Sequence, residues 1–480
     1  MGQHVRGLGA HLPRAPLDAS QPGQEFGVST EEVDVVVIGL GPGGEDAAGR
    51  LAEAGLAVVA VEAGLAGGEC PFYACVPTKI MVRAAGLLED ARRVPGMAGT
   101  ATVEPDWSVV ADRLKNEATN DWDDASHVKA LEDKGVTFVR GQGRLTGPRE
   151  VTVGDRVFAA RCGVLLNTGT APAVPPIDGL DGTPYWTNRD AVKATAAPAS
   201  LIILGGGFVG AELAQVFRRF GTAVTMIERG PRILAVEEPE SSAMLADVFT
   251  REGIDVRCDT SIEAVSHDGK AFTVRTSGGD LTAEQVLVAT GRRPNLKGLG
   301  LAAVGLDESA RSVPVDEHLR AGDGLWAIGD ITGKGAFTHM SMYQSAIAVR
   351  SILEQEGPPA DYRAVPRVTF TDPEIGSVGI TEAQAREQGL AVRTGSTRIA
   401  DSSRGWIQKV DNDGFIKLVE DAEWGTLVGA TVAGPAGGEI LGLLTLAVKA
   451  EVPTATLRTM IYAYPTFHRA LETALADLDS

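Results

Sequence analysis

The chain is poor in cysteine, in aromatic side chains and in positive charge. Four cysteines in 480 residues are too few for a disulfide framework and suit a reducing compartment. The 44 Lys and Arg are outnumbered by 63 Asp and Glu, a formal net charge of −19. Repulsion on that scale disfavours nucleic-acid phosphates and anionic lipid as partners. No apolar run reaches the roughly 18 residues of a membrane-spanning helix. Residues 1–30 lack the apolar stretch of a secretory signal, and Asp18 and Glu25 argue against a transit peptide; they read as a flexible tail, with the cytoplasm as default location. Apolar residues, at 44%, can fill a sizeable core. Glycine is in excess: 58 residues where about 34 would be average.

Many of those glycines fall in a repeat. The β-branched run Val33–Ile38 predicts a strand buried on both faces. It enters Gly39-Leu40-Gly41-Pro42-Gly43-Gly44. A helical pattern follows, then a second apolar run ending at Glu62. The second copy runs from Leu201 through Gly205-Gly206-Gly207-Phe208-Val209-Gly210 to Glu228. In G-x-G-x-x-G the first glycine permits the tight turn and the second lets a pyrophosphate reach the backbone. The third allows helix and strand to pack, and the helix N-terminus attracts the anion. The acids, Glu62 and Glu228, can accept from ribose hydroxyls. Both units end alike, in Asn167-Thr168-Gly169-Thr170-Ala171-Pro172 and in Thr290-Gly291-Arg292-Arg293-Pro294. Two dinucleotide-binding units side by side suggest electron transfer between them.

Cys70 and Cys75 form a C-x4-C pair within Gly67-Gly68-Glu69-Cys70-Pro71-Phe72-Tyr73-Ala74-Cys75-Val76-Pro77-Thr78-Lys79. In an ideal helix their Cα atoms would stand roughly 8.7 Å apart, whereas a disulfide wants no more than about 7 Å. A bond therefore requires a distorted first turn, where Pro71 fits, and such a bond is the reducible kind. Zinc would need two further ligands, and Cys162 and Cys258 stand alone. Two inert buried thiols are the remaining reading.

With these segments the chain resembles the flavin-dependent pyridine nucleotide–disulfide oxidoreductases, a family that includes dihydrolipoamide dehydrogenase, glutathione reductase and mercuric reductase. The likeness continues through Ala327-Ile328-Gly329-Asp330, Thr338-His339-Met340 and Val368–Glu374. It implies an α/β fold with two Rossmann-like (doubly wound, three-layer) dinucleotide-binding domains plus a C-terminal α+β dimerisation domain. Residues 31–171 and 295–360 would bind FAD, 172–294 NADH or NADPH, and 361–480 would dimerise. Gly68, Thr168, Gly169, Gly291, Arg292 and Gly329 would line cofactor sites, and Asp330 the ribityl chain. Lys79 would sit by the flavin and pair with Glu212. Cys75 would be the thiol nearest the flavin and Cys70 the one that attacks an acceptor.

Several positions depart from the family pattern. The His-Pro-x-x-x-Glu that a partner subunit would supply for proton transfer reads Tyr464-Pro465-Thr466-Phe467-His468-Arg469. A tyrosine of pKa about 10 is a poor shuttle at neutral pH, and His468 reads as a lone surface residue. Mercuric reductase also uses a cysteine pair near its C-terminus; Tyr464 to Ser480 contains none, which disfavours mercury as substrate. Phe72 and Tyr73 suggest an acceptor pocket unlike that for lipoamide or glutathione. His339 reads as packing near the flavin. Glu228 favours NADH, while Arg229 and Arg232 could admit NADPH. The expectation is a homodimeric enzyme passing electrons from nicotinamide through FAD and Cys70–Cys75 to a small disulfide-type acceptor. A reductase delivering them from FAD to a quinone, oxygen or another diffusible acceptor is the alternative. A flavin-binding sensor without turnover is a third class.

Overall fold

The computed structural model describes residues 30–479; the expected N-terminal tail, up to residue 29, lies outside them. The first strand begins earlier than the apolar run predicts, at Thr30, and pairs in parallel with Arg156–Leu166 and Val58–Glu62. Thr137–Arg140 and Leu325–Ala327 extend this parallel sheet, and Arg320–Gly322 closes one edge antiparallel. Val36 and Ile38 point into one buried cluster, Val35 and Val37 into another. Helices α1 (Pro42–Glu53), α2 (Glu69–Phe72) and α3 (Cys75–Arg93) follow in chain order.

The second unit repeats the design. Asp255–Arg257, Ala223–Ile227, Ser200–Leu204 and Gln285–Val288 form a four-stranded parallel sheet. Leu201 and Ile203 again face a different core from Ile202 and Leu204. Helix α4 (Phe208–Arg219) follows its glycine loop. The two matching segment ends are themselves strand partners: Thr170–Pro172 pairs antiparallel with Arg292–Pro294. Their likeness therefore also marks where the two units are stitched together. Helix α5 (Thr338–Ile352) returns to the first unit.

The C-terminal part is a five-stranded antiparallel sheet covered by the helices Gly437–Lys449 and Leu471–Asp477. Segment 370–372 runs along α4, which presents a buried polar stripe to it. Glu212 accepts from the Phe370 amide, Gln215 bonds Asp372 through both amide and carbonyl, and Arg219 bonds the Asp372 carboxylate. Among the described residues no helix is long and apolar enough to cross a membrane.

Candidate functional site

One cleft of about 1240 Å³ collects most of the predicted residues, including Gly41, Glu62, Gly68, Cys70, Cys75, Lys79, Thr168, Gly169, Phe208, Glu212, Arg292, Gly329 and Asp330. Its floor is the first glycine loop. A Cβ on Gly39 (φ +94°) would lie 2.4 Å from the Asn167 carbonyl oxygen, and one on Gly44 would lie 2.1 Å from that of Gly39. Gly43 meets α5, where Ser341 Oγ would be 2.1 Å away. Gly68 crosses Gly41 so closely that a Cβ would sit 2.9 Å from its Cα. The glycine pair ahead of the cysteines thus lets one loop cross the other. Glu62 at the strand end accepts from the amides of Leu40 and Gly64, both at 2.7 Å. A long, apolar cleft with an open helix N-terminus, a tethered carboxylate and close backbone fits an extended dinucleotide such as FAD.

In the second unit Glu228 accepts from the amides of Gly206 and Gly230, again at 2.7 Å. Gly205 and Gly210 are pinned as Gly39 and Gly44 are, but nothing stands over Gly207, and Phe208 is exposed. Arg229 is exposed too. Arg232, by contrast, is held by the carbonyls of Leu234, Ala235 and Glu237 and by Ser242 Oγ. Tied into its own loop, it is not free to meet a 2′-phosphate, which corrects its expected role.

The required break in the helix at the cysteines is present: α2 ends at Phe72 and α3 starts at Cys75. Both cysteines are free thiols in this structure. Cys75 is lowered to about 6, chiefly by the neighbouring Cys70 thiol, then by Thr338 and the Lys79 ammonium, against burial. Cys70 is pushed up by Cys75 and by burial. Thr338 Oγ1 lies 3.3 Å from Cys75 Sγ. One turn into α3, Lys79 Nζ lies 2.5 Å from Glu212 Oε2 and 4.7 Å from the Phe370 ring centre. Glu212 is buried, its other oxygen taken by the Phe370 amide.

Asp330 accepts from Thr170 Oγ1 at 2.5 Å, and burial raises its pKa against that bond. Arg292 donates to Thr170 Oγ1 and its carbonyl and pairs with Glu69, 3.3 Å away. Arg292 therefore bridges the Asp330 site to the residue preceding Cys70. Asn167, Thr338 and Phe370 lie inside the matched segments, but their roles could not be read there because each acts through a contact made only on folding.

The C-terminal candidates are elsewhere. Tyr464 is 67% exposed, and neither it nor His468 lines this chain's cleft. Arg469, in the glutamate position, lies over the Tyr464 ring at 5.4 Å. His468 turns toward Tyr462, its ring 6.0 Å away, and Thr466; it is half-buried, which corrects its reading as a surface residue. His339, read as packing, is an exposed side chain on the cleft wall.

Residues 33–348 match the model of the pyridine nucleotide-disulphide oxidoreductases, and residues 365–475 match the dimerisation domain of that family. The mercuric reductase of Streptomyces lividans is 34% identical over 92% of this chain and 95% of its own length. The dihydrolipoyl dehydrogenase of Zymomonas mobilis is 32% identical over 93% and 98%. Among solved structures, the Cu(II) complex of the HOCl-induced flavoprotein disulfide reductase RclA from Escherichia coli superposes with a TM-score of 0.81 at 27% identity, covering 93% of this chain and 99% of RclA. LpdA from Mycobacterium tuberculosis gives 0.82 at 25%, covering 93% and 100%. The chain belongs to the pyridine nucleotide-disulphide oxidoreductase family. It is accordingly an FAD-binding oxidoreductase that draws electrons from NADH or NADPH.

Proposed function

We propose that the protein reduces a small disulfide-type acceptor through Cys70 and Cys75, as a cytoplasmic homodimer that uses NADH. The first unit, 31–171 with 295–360, holds FAD, 172–294 holds the nicotinamide nucleotide, and 361–480 dimerises, bringing Tyr464 across the interface. FAD held along the cleft by the first glycine loop, Glu62 and Asp330 would supply hydride acceptance from the nicotinamide and two-electron reduction of the cysteine pair. The chain's residues do the rest. Lys79, oriented by Glu212, presents a positive charge where negative charge develops. Cys75 remains a thiolate at neutral pH, stabilised by Cys70, Thr338 and Lys79. Cys70, whose thiol Cys75 and burial push up, is the one we assign to the attack on the acceptor, as the family likeness implies. Glu228 and the sequestered Arg232 favour a 2′-hydroxyl over a 2′-phosphate.

The observation that carries this reading is geometric: Cys70 and Cys75, set at a break between two helices, line the same cleft as the first glycine loop and the Lys79–Glu212 pair. An anaerobic NADH titration tests it. Uptake of four electrons per FAD, falling to two in Cys70→Ser and Cys75→Ser, is expected. Two electrons in wild type would instead support direct transfer to a quinone, oxygen or another diffusible acceptor. The Tyr464–Arg469 replacement is what speaks for that second reading.

A further inference from the structure

We propose that Trp122, with Asn188 beside it, is a positioning residue that holds the loop from Cys70 to Cys75 in one shape whether the sulfurs are bonded or free, and so sets how readily their bond forms; this rests on the disulfide reading above. The loop cannot hold itself. α2 ends at Phe72 and α3 begins at Cys75, and a helix end leaves its last carbonyls without amide partners. In a continuous helix the donor to the Tyr73 carbonyl would be residue 77, which is Pro77 and has no N–H.

Two side chains from distant segments supply the missing donors. Trp122 Nε1 donates to the Phe72 carbonyl at 3.0 Å, and Asn188 Nδ2 donates to the Tyr73 carbonyl at 2.8 Å. Asn188 is buried at the start of the short helix Asn188–Ala191. Trp122 is half-buried and is delivered by a strained turn. The π-helical turn Leu114–Ala118 leads into Asn120, Asp121 and Trp122 at φ of +47°, +57° and +57°. Asn and Asp visit the left-handed region readily, whereas a bulky tryptophan rarely does. Such strain persists only where the surroundings over-determine it, and it collects at functional sites. Here the buried Thr119 hydroxyl accepts from the Trp122 amide at 3.3 Å, and the Asp121 amide donates to the Lys115 carbonyl. Two residues beyond Trp122, Asp124 accepts from the Ala66 amide at 2.6 Å. The same segment therefore supports the approach to Cys70 and the loop behind it. Lys193 Nζ lies 4.9 Å from the Trp122 ring centre and 5.4 Å from that of Tyr73.

Oxidation of the pair by an acceptor disulfide turns two protein thiols and one acceptor S–S bond into the Cys70–Cys75 bond and two acceptor thiols. Two electrons and two protons pass to the acceptor. Forming the bond closes a loop, and the ordering this requires counts against it. With both carbonyls held, that ordering is already present in the dithiol, and the sulfurs meet at high effective concentration. Losing the Trp122 hydrogen bond loosens the dithiol more than the disulfide, which its own bond still restrains. The disulfide then becomes easier to reduce.

The test equilibrates holoenzyme anaerobically with mixtures of reduced and oxidised dithiothreitol, alkylates the free thiols and counts the Cys70–Cys75 bond by peptide mass. Trp122→Phe keeps an aromatic ring beneath Lys193 and removes the N–H. Half of its pair should be reduced at a ratio of reduced to oxidised dithiothreitol about tenfold lower than in wild type, a rise of about 30 mV in midpoint potential. Lys193→Met bonds neither carbonyl and should titrate with wild type. A residue that only supports the fold would leave this ratio unmoved. Should Trp122→Phe fail to retain FAD, Asn188→Leu is read in its place, with the same direction expected. A ratio equal to wild type overturns the proposal, as does an equal shift in Lys193→Met or loss of FAD by both loop variants. If wild type forms no Cys70–Cys75 bond at any ratio, the disulfide reading has failed; if it forms one and the ratio ignores the substitution, only the role of Trp122 has.

Discussion

The two glycine units are nearly the same object locally and differ in what stands over them. Each pins its first glycine under a carbonyl, at 2.4 and 2.5 Å from a Cβ placed there, and ties its acid to two backbone amides at 2.7 Å. The first unit is roofed: Gly43 abuts Ser341 on α5, and Ser345 bonds Asp46 across the same helix pair. The second is open above Gly207 and is fastened from behind, where Gln215 and Arg219 of α4 grip Asp372. On the proposed assignment of FAD to the first unit and nicotinamide to the second, one fold would serve a nucleotide that stays and one that comes and goes. A packed roof slows release, and an open loop with a polar anchor leaves the entrance free.

The strongest way to break this contrast is to place a methyl group in each loop, at Gly43, whose place in the second unit is taken by Val209, and at Gly207, the counterpart of Gly41. Gly43→Ala drives a Cβ into the α5 backbone, with the Ser341 carbonyl oxygen at 2.7 Å, at a cost of about 3 kcal/mol. The purified protein should be largely colourless, as its flavin absorbance would report. Gly207→Ala meets nothing and should retain flavin while raising the KM for NADH. Equal flavin loss in both would end the distinction.

Next comes the ion pair that joins the units. Lys79→Met removes the charge that α4 orients, and flavin reduction by NADH in stopped flow should slow by about 100-fold. It also removes one cause of the lowered Cys75 pKa. In wild type the long-wavelength thiolate band should be present above about pH 6 and vanish as pH falls through that value; in the variant the midpoint should rise. Smaller again is Glu228→Ala. Loss of the ribose acceptor should cut kcat/KM for NADH about tenfold, the scale of one charge-assisted hydrogen bond, and narrow the preference over NADPH.

Much of this site was legible in the residues because it is local. Gly39 to Glu62, Gly205 to Glu228 and the cysteine turn each encode their conformation within a few residues. What stayed hidden was carried by contacts between distant segments. The stripe Glu212, Gln215 and Arg219 looks like ordinary helix surface until segment 370–372 is laid along it. Arg232 looked available to a phosphate until its loop closed on it. His339 looked like packing because its neighbours, Phe337 apart, come from elsewhere in the chain. Fold class follows from patterns of hydrophobicity and glycine, whereas proton handling depends on which side chains meet.

The smallest expected effect sharpens the difference in fastening. Behind α4, Asp411 is raised to about 8 by burial and by Asp372 beside it, while Asp372 stays low despite burial through Arg219 and Arg93. The two acids share one proton. A folded pKa above the unfolded value of about 3.9 means that Asp411 contributes fully only below that value, and that the contribution is lost as pH rises through about 8. Asparagine mimics the protonated acid and tolerates the positive φ of 55° found there. Asp411→Asn should therefore match wild type near pH 4, gain steadily above it and level off beyond pH 8, with a rise in Tm of about 2 °C. A gain independent of pH would mean that the polar anchor behind α4 carries no shared proton, leaving charge pairing by Arg219 and Arg93 as its whole basis.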